Sequence, residues 1–181
     1  GEEKNRLLAL KDSFGIIDER IRLMDPLIRR RNLRSESLTG EEIEGFLRRR
    51  FADELKEVGC KFTESFRKAK WTGLNRPVFL GAIHNLFINS LYWSRQGSVD
   101  PMVCLSTSDG SLVLSDSGPG VNKIDADYIF EPGFSRRPEG QGLGLYIARE
   151  SLREFGYALS LQNEPQLGAL SGANFVVSKI G

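Results

Sequence analysis

The sequence has 181 residues, 40% of them hydrophobic and 27% charged, so the chain is long enough to bury a sizeable core. Its 25 basic and 24 acidic residues leave a net charge of +1, which excludes the strong field that draws a protein to nucleic acid or to an anionic membrane. Two isolated cysteines without metal-ligand spacing fit a reducing, cytoplasmic setting.

The first 34 residues carry a pattern typical of a helical bundle. Apolar side chains recur in steps of three and four, at Leu7, Leu10, Phe14, Ile17, Ile21, Met24 and Ile28. We predict a dimerising helix over residues 1–34, kinked at Pro26; an ordinary surface helix is the alternative.

Residues 35–181 alternate between helical and strand patterns. A polar link at 35–38 precedes Thr39 and Glu42, which form a capping-box pattern and predict a helix to about Val58. The later predicted helices are Val78–Trp93 and Gly142 to about Phe155, and the predicted strands are Cys60–Phe66, Met102–Thr107, Ser111–Ser115, Ala158–Gln162 and Asn174–Ile180. The stretch Asn122–Glu139 is long and irregular. Loops of this length are uncommon inside a compact domain unless they work as a lid, so we predict a lid here.

A glycine-rich stretch runs directly into the last predicted helix. Its residues are Gly140, Gln141, Gly142, Leu143 and Gly144. Glycine lets the backbone approach a ligand closely, and the free N–H groups at a helix start favour an anion. We predict a phosphate site here; a flexible loop capped by a helix is the alternative.

Two asparagines of the apolar helix, Asn85 and Asn89, are four residues apart and share one helix face. A carboxamide oxygen can complete the shell of a Mg²⁺ that otherwise keeps water and substrate phosphates. The pair predicts a magnesium site, and a solvated surface pair is the alternative. The neighbouring His84 is more typical of a structural histidine than of an acid or base.

Asp116 ends a strand of buried type and offers an acceptor suited to an exocyclic amine such as that of adenine. Gly118 and Gly120 follow and would let a flat base lie against the backbone; a simple turn is the alternative. In the lid, Arg136 and Arg137 offer positive charge for terminal phosphates.

In chain order, four segments resemble the N, G1, F and G2 boxes of the histidine-kinase branch of the GHKL ATP-binding superfamily. They are the helix with Asn85 and Asn89, the segment from Asp116 to Gly120, the lid, and the glycine-rich stretch, respectively. The resemblance covers about residues 35–181. It implies an α/β two-layer sandwich of the Bergerat type, in which a mixed sheet of about five strands is covered on one face by three helices. It also implies that residues 1–34 are the second helix of a dimerisation hairpin, and hence a homodimer.

The resemblance implies a site for ATP and Mg²⁺. Asn89 would hold the metal with Asn85 beside it, Asp116 would receive the adenine amine, and Trp93 would stack near the nucleotide. Arg137 would meet the terminal phosphate, so that Asn85 and Arg137 are the candidate catalytic residues. The remaining binding positions would be Gly118 and Gly120 at the base, and Gly140, Gln141, Gly142, Leu143 and Gly144 at the phosphates.

Three positions depart from the family pattern. Tyr92 stands where many kinases have a lysine, and Ala173 where a threonine often supports the adenine. Asn85 stands where hydrolysing relatives have a glutamate that activates water. An amide cannot act as a general base near neutral pH, so this residue favours phosphoryl transfer to a partner over rapid hydrolysis.

The function implied is that of a sensor histidine kinase, whose phosphohistidine would serve a response regulator. The only histidine, His84, lies on the nucleotide-site helix. We therefore expect the acceptor histidine to precede residue 1, and any membrane or sensing part to lie outside the sequence. A stand-alone ATPase that switches a dimer and a pseudokinase that only binds nucleotide are the alternatives.

Overall fold

The structure, a computed structural model, describes residues 36–97, 99–162 and 170–181. The predicted dimerising helix over residues 1–34 lies outside the described residues and stays a prediction. Within the described part of the chain, no helix is both long enough and apolar enough to cross a membrane.

Seven strands and six helices are described. In chain order they are β1 (Glu36–Thr39), α1 (Gly40–Arg50), α2 (Glu54–Glu57), β2 (Gly59–Phe62), α3 (Glu64–Lys68), β3 (Lys70–Leu74), α4 (Arg76–Gly97), β4 (Met102–Ser108), β5 (Ser111–Asp116), α5 (Lys123–Ala126), α6 (Gly144–Glu154), β6 (Tyr157–Gln162) and β7 (Asn174–Lys179).

Five strands form the central sheet in the order β2-β4-β5-β7-β6. The β2 and β4 strands are parallel, and the other pairs are antiparallel. On each strand, alternate side chains face the helices. Leu105 of β4, Leu114 of β5 and Phe175 of β7 are examples, and all three are fully buried in the core between this sheet and the helices. The α4 helix packs on β4 and β5, and α6 packs on β6. The predicted two-layer sandwich with a mixed five-stranded sheet is confirmed.

A second, two-stranded sheet was not predicted. The segment interpreted as a polar link forms β1, which pairs antiparallel with β3 and buries Leu38 beside Trp71. The predicted strand Cys60–Phe66 is also wrong in its second half. Its chain turns at Thr63, whose Oγ1 accepts a hydrogen bond from Phe66 N at 3.2 Å and so caps α3.

The predicted capping box is confirmed, although its helix ends at Arg50 rather than at Val58. Thr39 N donates to Glu42 Oε2 at 2.8 Å, and Glu42 N donates to Thr39 Oγ1 at 3.3 Å. Arg76, the first residue of α4, donates to Glu42 Oε1 at 2.7 Å and to the Ser37 carbonyl at 2.6 Å. These bonds tie the start of α4 to both β1 and α1.

Glu42 should stabilise the fold in a pH-dependent way. The hydrogen bond from Arg76, followed by that from the Thr39 backbone, lowers the pKa of Glu42 from 4.5 to about 2. Because the folded-state pKa is the lower one, the stabilisation is present above pH 4.5 and is lost as the pH falls towards 2. Glu42→Gln should therefore lower the melting temperature at pH 7, by a difference that shrinks between pH 4.5 and pH 2.

Thermal unfolding followed by circular dichroism checks this. Glu41→Gln is the matched control, since it removes the same charge from the adjacent, exposed position of α1. A difference between wild type and Glu42→Gln that stays constant with pH would contradict the assignment.

Candidate functional site

A cavity of about 480 Å³ opens between α4, the end of β5, the lid and the start of α6. This volume suits a small organic ligand. All four segments singled out in the sequence contribute to its wall. Of the predicted binding residues, the following line it: Asn85, Asn89, Trp93, Asp116, Gly120, Arg137, Gly140, Gln141, Gly142, Leu143 and Gly144.

The α4 helix presents one face to this cavity and another to the core. Asn85 and Asn89 line the cavity from successive turns, as their spacing predicts. Buried side chains such as Ile83 and Phe87 fill the core side of the helix. His84 does not line the cavity; its ring lies 5.2 Å from the ring of Phe51, in keeping with a structural histidine.

Asp116 offers one unpaired oxygen at the cavity wall. The residue is fully buried, and its Oδ1 accepts hydrogen bonds from Gly118 N at 2.9 Å and Ala173 N at 3.2 Å. Its Oδ2 is buried without a partner among the described residues. Burial raises the pKa of this carboxyl, and the backbone N–H groups of Gly118 and Ala173, together with the nearby Ser90 hydroxyl, oppose the rise. An unpaired buried acceptor costs about 1–3 kcal/mol, which a ligand donor would recover.

Two glycines hold this carboxylate in place. Gly118 does not line the cavity, but its N–H fixes Asp116 Oδ1, and a Cβ there would lie 2.8 Å from that oxygen and from the Trp93 carbonyl. Gly172 is more constrained, because a Cβ would lie 2.4 Å from Asp116 Oδ1 and from its carbonyl oxygen. Sequence reasoning missed the role of Gly172, since the contact joins positions distant in the chain.

The start of α6 forms the opposite end of the cavity. Leu143 occupies the N-cap position without a side-chain hydrogen bond to the helix, and Gly144 and Leu145 of the first turn line the cavity. An uncapped helix start directs N–H groups and a partial positive charge outward. This end of the cavity therefore suits an anion.

Gly142 joins this helix start to the lid. It has φ +68, and its carbonyl accepts a hydrogen bond from Gly133 N at 3.1 Å. A Cβ at this position would lie 2.4 Å from the Gly133 carbonyl carbon and 2.5 Å from the Phe134 carbonyl oxygen. Only glycine fits both the backbone conformation and the close contact.

The two lid arginines have different partners. Arg136 forms a two-pronged pair with Asp125, at 2.7 and 3.0 Å, and its hydrogen bond lowers the pKa of that carboxyl. The Arg137 guanidinium lies 4.0 Å from the centre of the Tyr92 ring and pairs with no carboxylate among the described residues. Of the two, Arg137 is the one whose charge remains available to an anion.

Apolar side chains complete the wall and were not predicted as site residues. They are Ile88, Val121, Ile129, Phe134, Leu145, Ala173 and Phe175. In the sequence they cannot be told from core residues, because the same helix and strand periodicity places both.

Residues 79–179 match the model of the family described as histidine kinase-, DNA gyrase B-, and HSP90-like ATPase. The chain belongs to this family. The matched range contains all four segments that line the cavity. The resemblance stated from the sequence is thereby confirmed.

Two curated relatives in this family are sensor proteins. The sensor histidine kinase GtrS of Pseudomonas aeruginosa is 39% identical over 92 residues, which cover 48% of this chain and 18% of GtrS. The sensor protein ChvG of Rhizobium meliloti is 40% identical over 74 residues, which cover 37% of this chain and 13% of ChvG. The chain thus corresponds to less than a fifth of the length of either relative.

Among solved structures, a mycobacterial sensor histidine kinase, MprB, is similar with a TM-score of 0.62. The identity is 22%, and the match covers 79% of this chain and 95% of that one. The ATP-binding fold of the family is therefore present in this chain.

Gly142→Ala should detach the lid from α6, because the added carbon meets lid backbone that cannot turn aside. Gly156→Ala is the matched control: Gly156 shares the positive φ, +73, but has nothing within 4 Å of its Cβ position. Both changes should cost about 1 kcal/mol of stability through backbone strain, and Gly142→Ala should cost more because of the added contact with the lid backbone. Only Gly142→Ala should speed tryptic cleavage after Arg136, measured by mass spectrometry. Equal cleavage rates in the two variants would contradict the contact.

Proposed function

We propose that this chain is the ATP-binding catalytic domain of a sensor histidine kinase. It holds ATP with Mg²⁺ and transfers the γ-phosphate to a histidine outside residues 1–181, from which a response regulator receives it. The observation that carries the proposal is the unpaired Asp116 Oδ2, buried in the wall of a cavity whose other end suits an anion. The family match and the names of its sensor-kinase relatives support the same function.

The base end of the cavity binds adenine. Asp116 Oδ2 accepts a hydrogen bond from the exocyclic amine, and Ala173 and Phe175 supply apolar walls. Gly120, with φ +76, lets the backbone pass beside the base without a side chain. Trp93 adds an aromatic surface from α4. Gly118 acts on the base indirectly, by fixing the carboxylate.

The phosphate end is built from backbone and one cation. The N–H groups of the α6 start and of the stretch from Gly140 to Gly144 receive the phosphate oxygens, with the Gln141 side chain beside them. Arg137 meets the terminal phosphate as the charge develops during transfer. These groups orient the phosphate chain rather than form covalent bonds to it.

Asn89 holds the metal through its carboxamide oxygen, and Asn85 lines the phosphate site one turn earlier. A bound Mg²⁺ would supply positive charge that offsets part of the charge on the phosphates. Asn85 cannot take a proton from water near neutral pH, so the site is poor at hydrolysis. We also infer a homodimer through residues 1–34 and a cytoplasmic location for this domain.

Asp116→Asn should change which nucleobase is preferred. Gly118 N and Ala173 N both need an acceptor, so the amide oxygen takes the Oδ1 position and the NH₂ group replaces Oδ2. A donor then faces the adenine amine, and affinity for ATP should fall at least tenfold relative to GTP. Because the buried charge is removed, stability at pH 7 should be unchanged or higher. Calorimetric titration with both nucleotides checks this; an unchanged ATP-to-GTP ratio would place the base elsewhere.

The function itself is tested by incubating the longest natural form of the protein with γ-labelled ATP and Mg²⁺. Acid-labile label on the protein supports the kinase, steady release of phosphate supports the ATPase, and binding with neither supports the pseudokinase.

Asn89→Ala should abolish both Mg²⁺-dependent binding and labelling. His84→Gln should keep the label, because the His84 ring packs on Phe51 outside the cavity. Loss of label in that variant would make His84 the acceptor.

A further inference from the structure

We propose that Tyr92 is a positioning residue for Arg137. Its ring holds the guanidinium beside the phosphate end of the cavity while leaving the charge available to the terminal phosphate. The inference rests on the proposed function and assigns a purpose to the tyrosine that stands where many kinases have a lysine.

The contact between the two side chains is close. Arg137 Cζ lies 4.0 Å from the Tyr92 ring centre, whereas the other described arginine–aromatic contacts measure between 5.0 and 5.8 Å. A guanidinium over the face of a tyrosine ring is attracted by the ring's negative charge distribution. Tyr92 lies on α4 three residues after Asn89, so it borders the proposed metal and phosphate positions.

The Tyr92 ring packs against a second aromatic ring. It meets the Trp93 ring edge-on, with the two centres 5.0 Å apart and the planes at 90°. Both residues are half-buried on the long helix α4. Arg137 therefore rests on a rigid element, although its own backbone belongs to the lid.

The lid backbone presents Arg137 to this ring. Arg137 N donates to Ser135 Oγ at 3.1 Å, and the Arg137 carbonyl accepts from Gly140 N at 3.0 Å. A Cβ on Gly140 would lie 2.2 Å from Ser135 Oγ and 2.9 Å from Arg137 Cβ, so the turn is tight. Backbone and ring together fix where the guanidinium lies.

The kind of partner decides what Arg137 can still do. A carboxylate would occupy two N–H donors and cancel the charge, as Asp125 does for Arg136. An aromatic ring does neither. It carries no net charge, and it does not occupy the N–H donors at the edge of the guanidinium. A lysine at position 92 would be positively charged and would repel Arg137. In this chain Tyr92 takes the place of that lysine, and its ring holds a single cation, Arg137.

The test compares the affinities for the non-hydrolysable ATP analogue AMPPNP and for ADP, measured by calorimetry with Mg²⁺. Only the analogue carries the group that Arg137 meets. Tyr92→Leu should lower the ratio of the two affinities by about tenfold, since the guanidinium loses its support. Tyr92→Phe keeps the ring face and should keep the ratio. A purely structural role for Tyr92 would weaken both ligands equally and leave the ratio unchanged.

A double-mutant cycle completes the design. Arg137→Met should lower the ratio as well, and adding Tyr92→Leu to it should have no further effect. If Arg137→Met lowers the ratio but Tyr92→Leu does not, the positioning role is wrong and the proposed function stands. If wild type does not bind the analogue, or Arg137→Met leaves the ratio unchanged, the proposed role of Arg137 fails and this inference is overturned with it.

Discussion

The site is organised around one buried carboxylate. Asp116 is fully buried at the end of β5, where two backbone N–H groups hold its Oδ1. Burial raises its pKa, so carrying a charge here costs stability at neutral pH, and the surrounding core must offset that cost. Glycine is needed at positions 118 and 172 because the backbone closes around this carboxylate to within contact distance. The close approach of the backbone where β5 meets β7 therefore fixes Asp116 Oδ1 through two hydrogen bonds and leaves Oδ2 without a partner.

The two ends of the cavity differ in rigidity. The base end is made by central strands and by α4, whose start Arg76 ties to β1 and α1. The phosphate end depends on the lid, whose contacts include the Arg136–Asp125 pair, the Gly133–Gly142 hydrogen bond and the Arg137–Tyr92 contact. Ile129 and Phe130 of the lid are buried in the core. An ion pair whose arginine is largely exposed contributes about 1 kcal/mol or less, so the part of the lid around Arg136 can rearrange at lower cost than the part that Ile129 and Phe130 anchor. The proposed base end is thus largely preformed, whereas the proposed phosphate end can rearrange more easily.

Local patterns in the sequence predicted the three longest helices, α1, α4 and α6, and the strands of the central sheet, because periodicity and caps act over a few residues. The capping box at Thr39 and the face shared by Asn85 and Asn89 are examples. The pairing of Glu36 with Leu74 was missed, since a short strand far from its partner carries no local signal. The same limit hid Gly172 and the apolar walls of the cavity. The charge pattern alone left Arg136 and Arg137 equivalent. The family resemblance singled out Arg137, and the pairing of Arg136 with Asp125 agrees with that choice.

The carboxylates in the cavity wall bear on the choice between phosphoryl transfer and hydrolysis. Among the described lining residues, the acidic ones are Asp116 and Asp125. Asp116 is bound to backbone N–H groups at the base end, and Asp125 is bound to Arg136. In the proposed complex Asp116 Oδ2 receives the adenine amine at the opposite end of the cavity from the phosphates, and Asp125 is held by Arg136. Asn85 cannot take a proton from water. An acceptor that needs no base from this chain, such as the neutral nitrogen of an imidazole ring, can attack the phosphate directly. The lining of the cavity therefore favours a histidine over water as the acceptor.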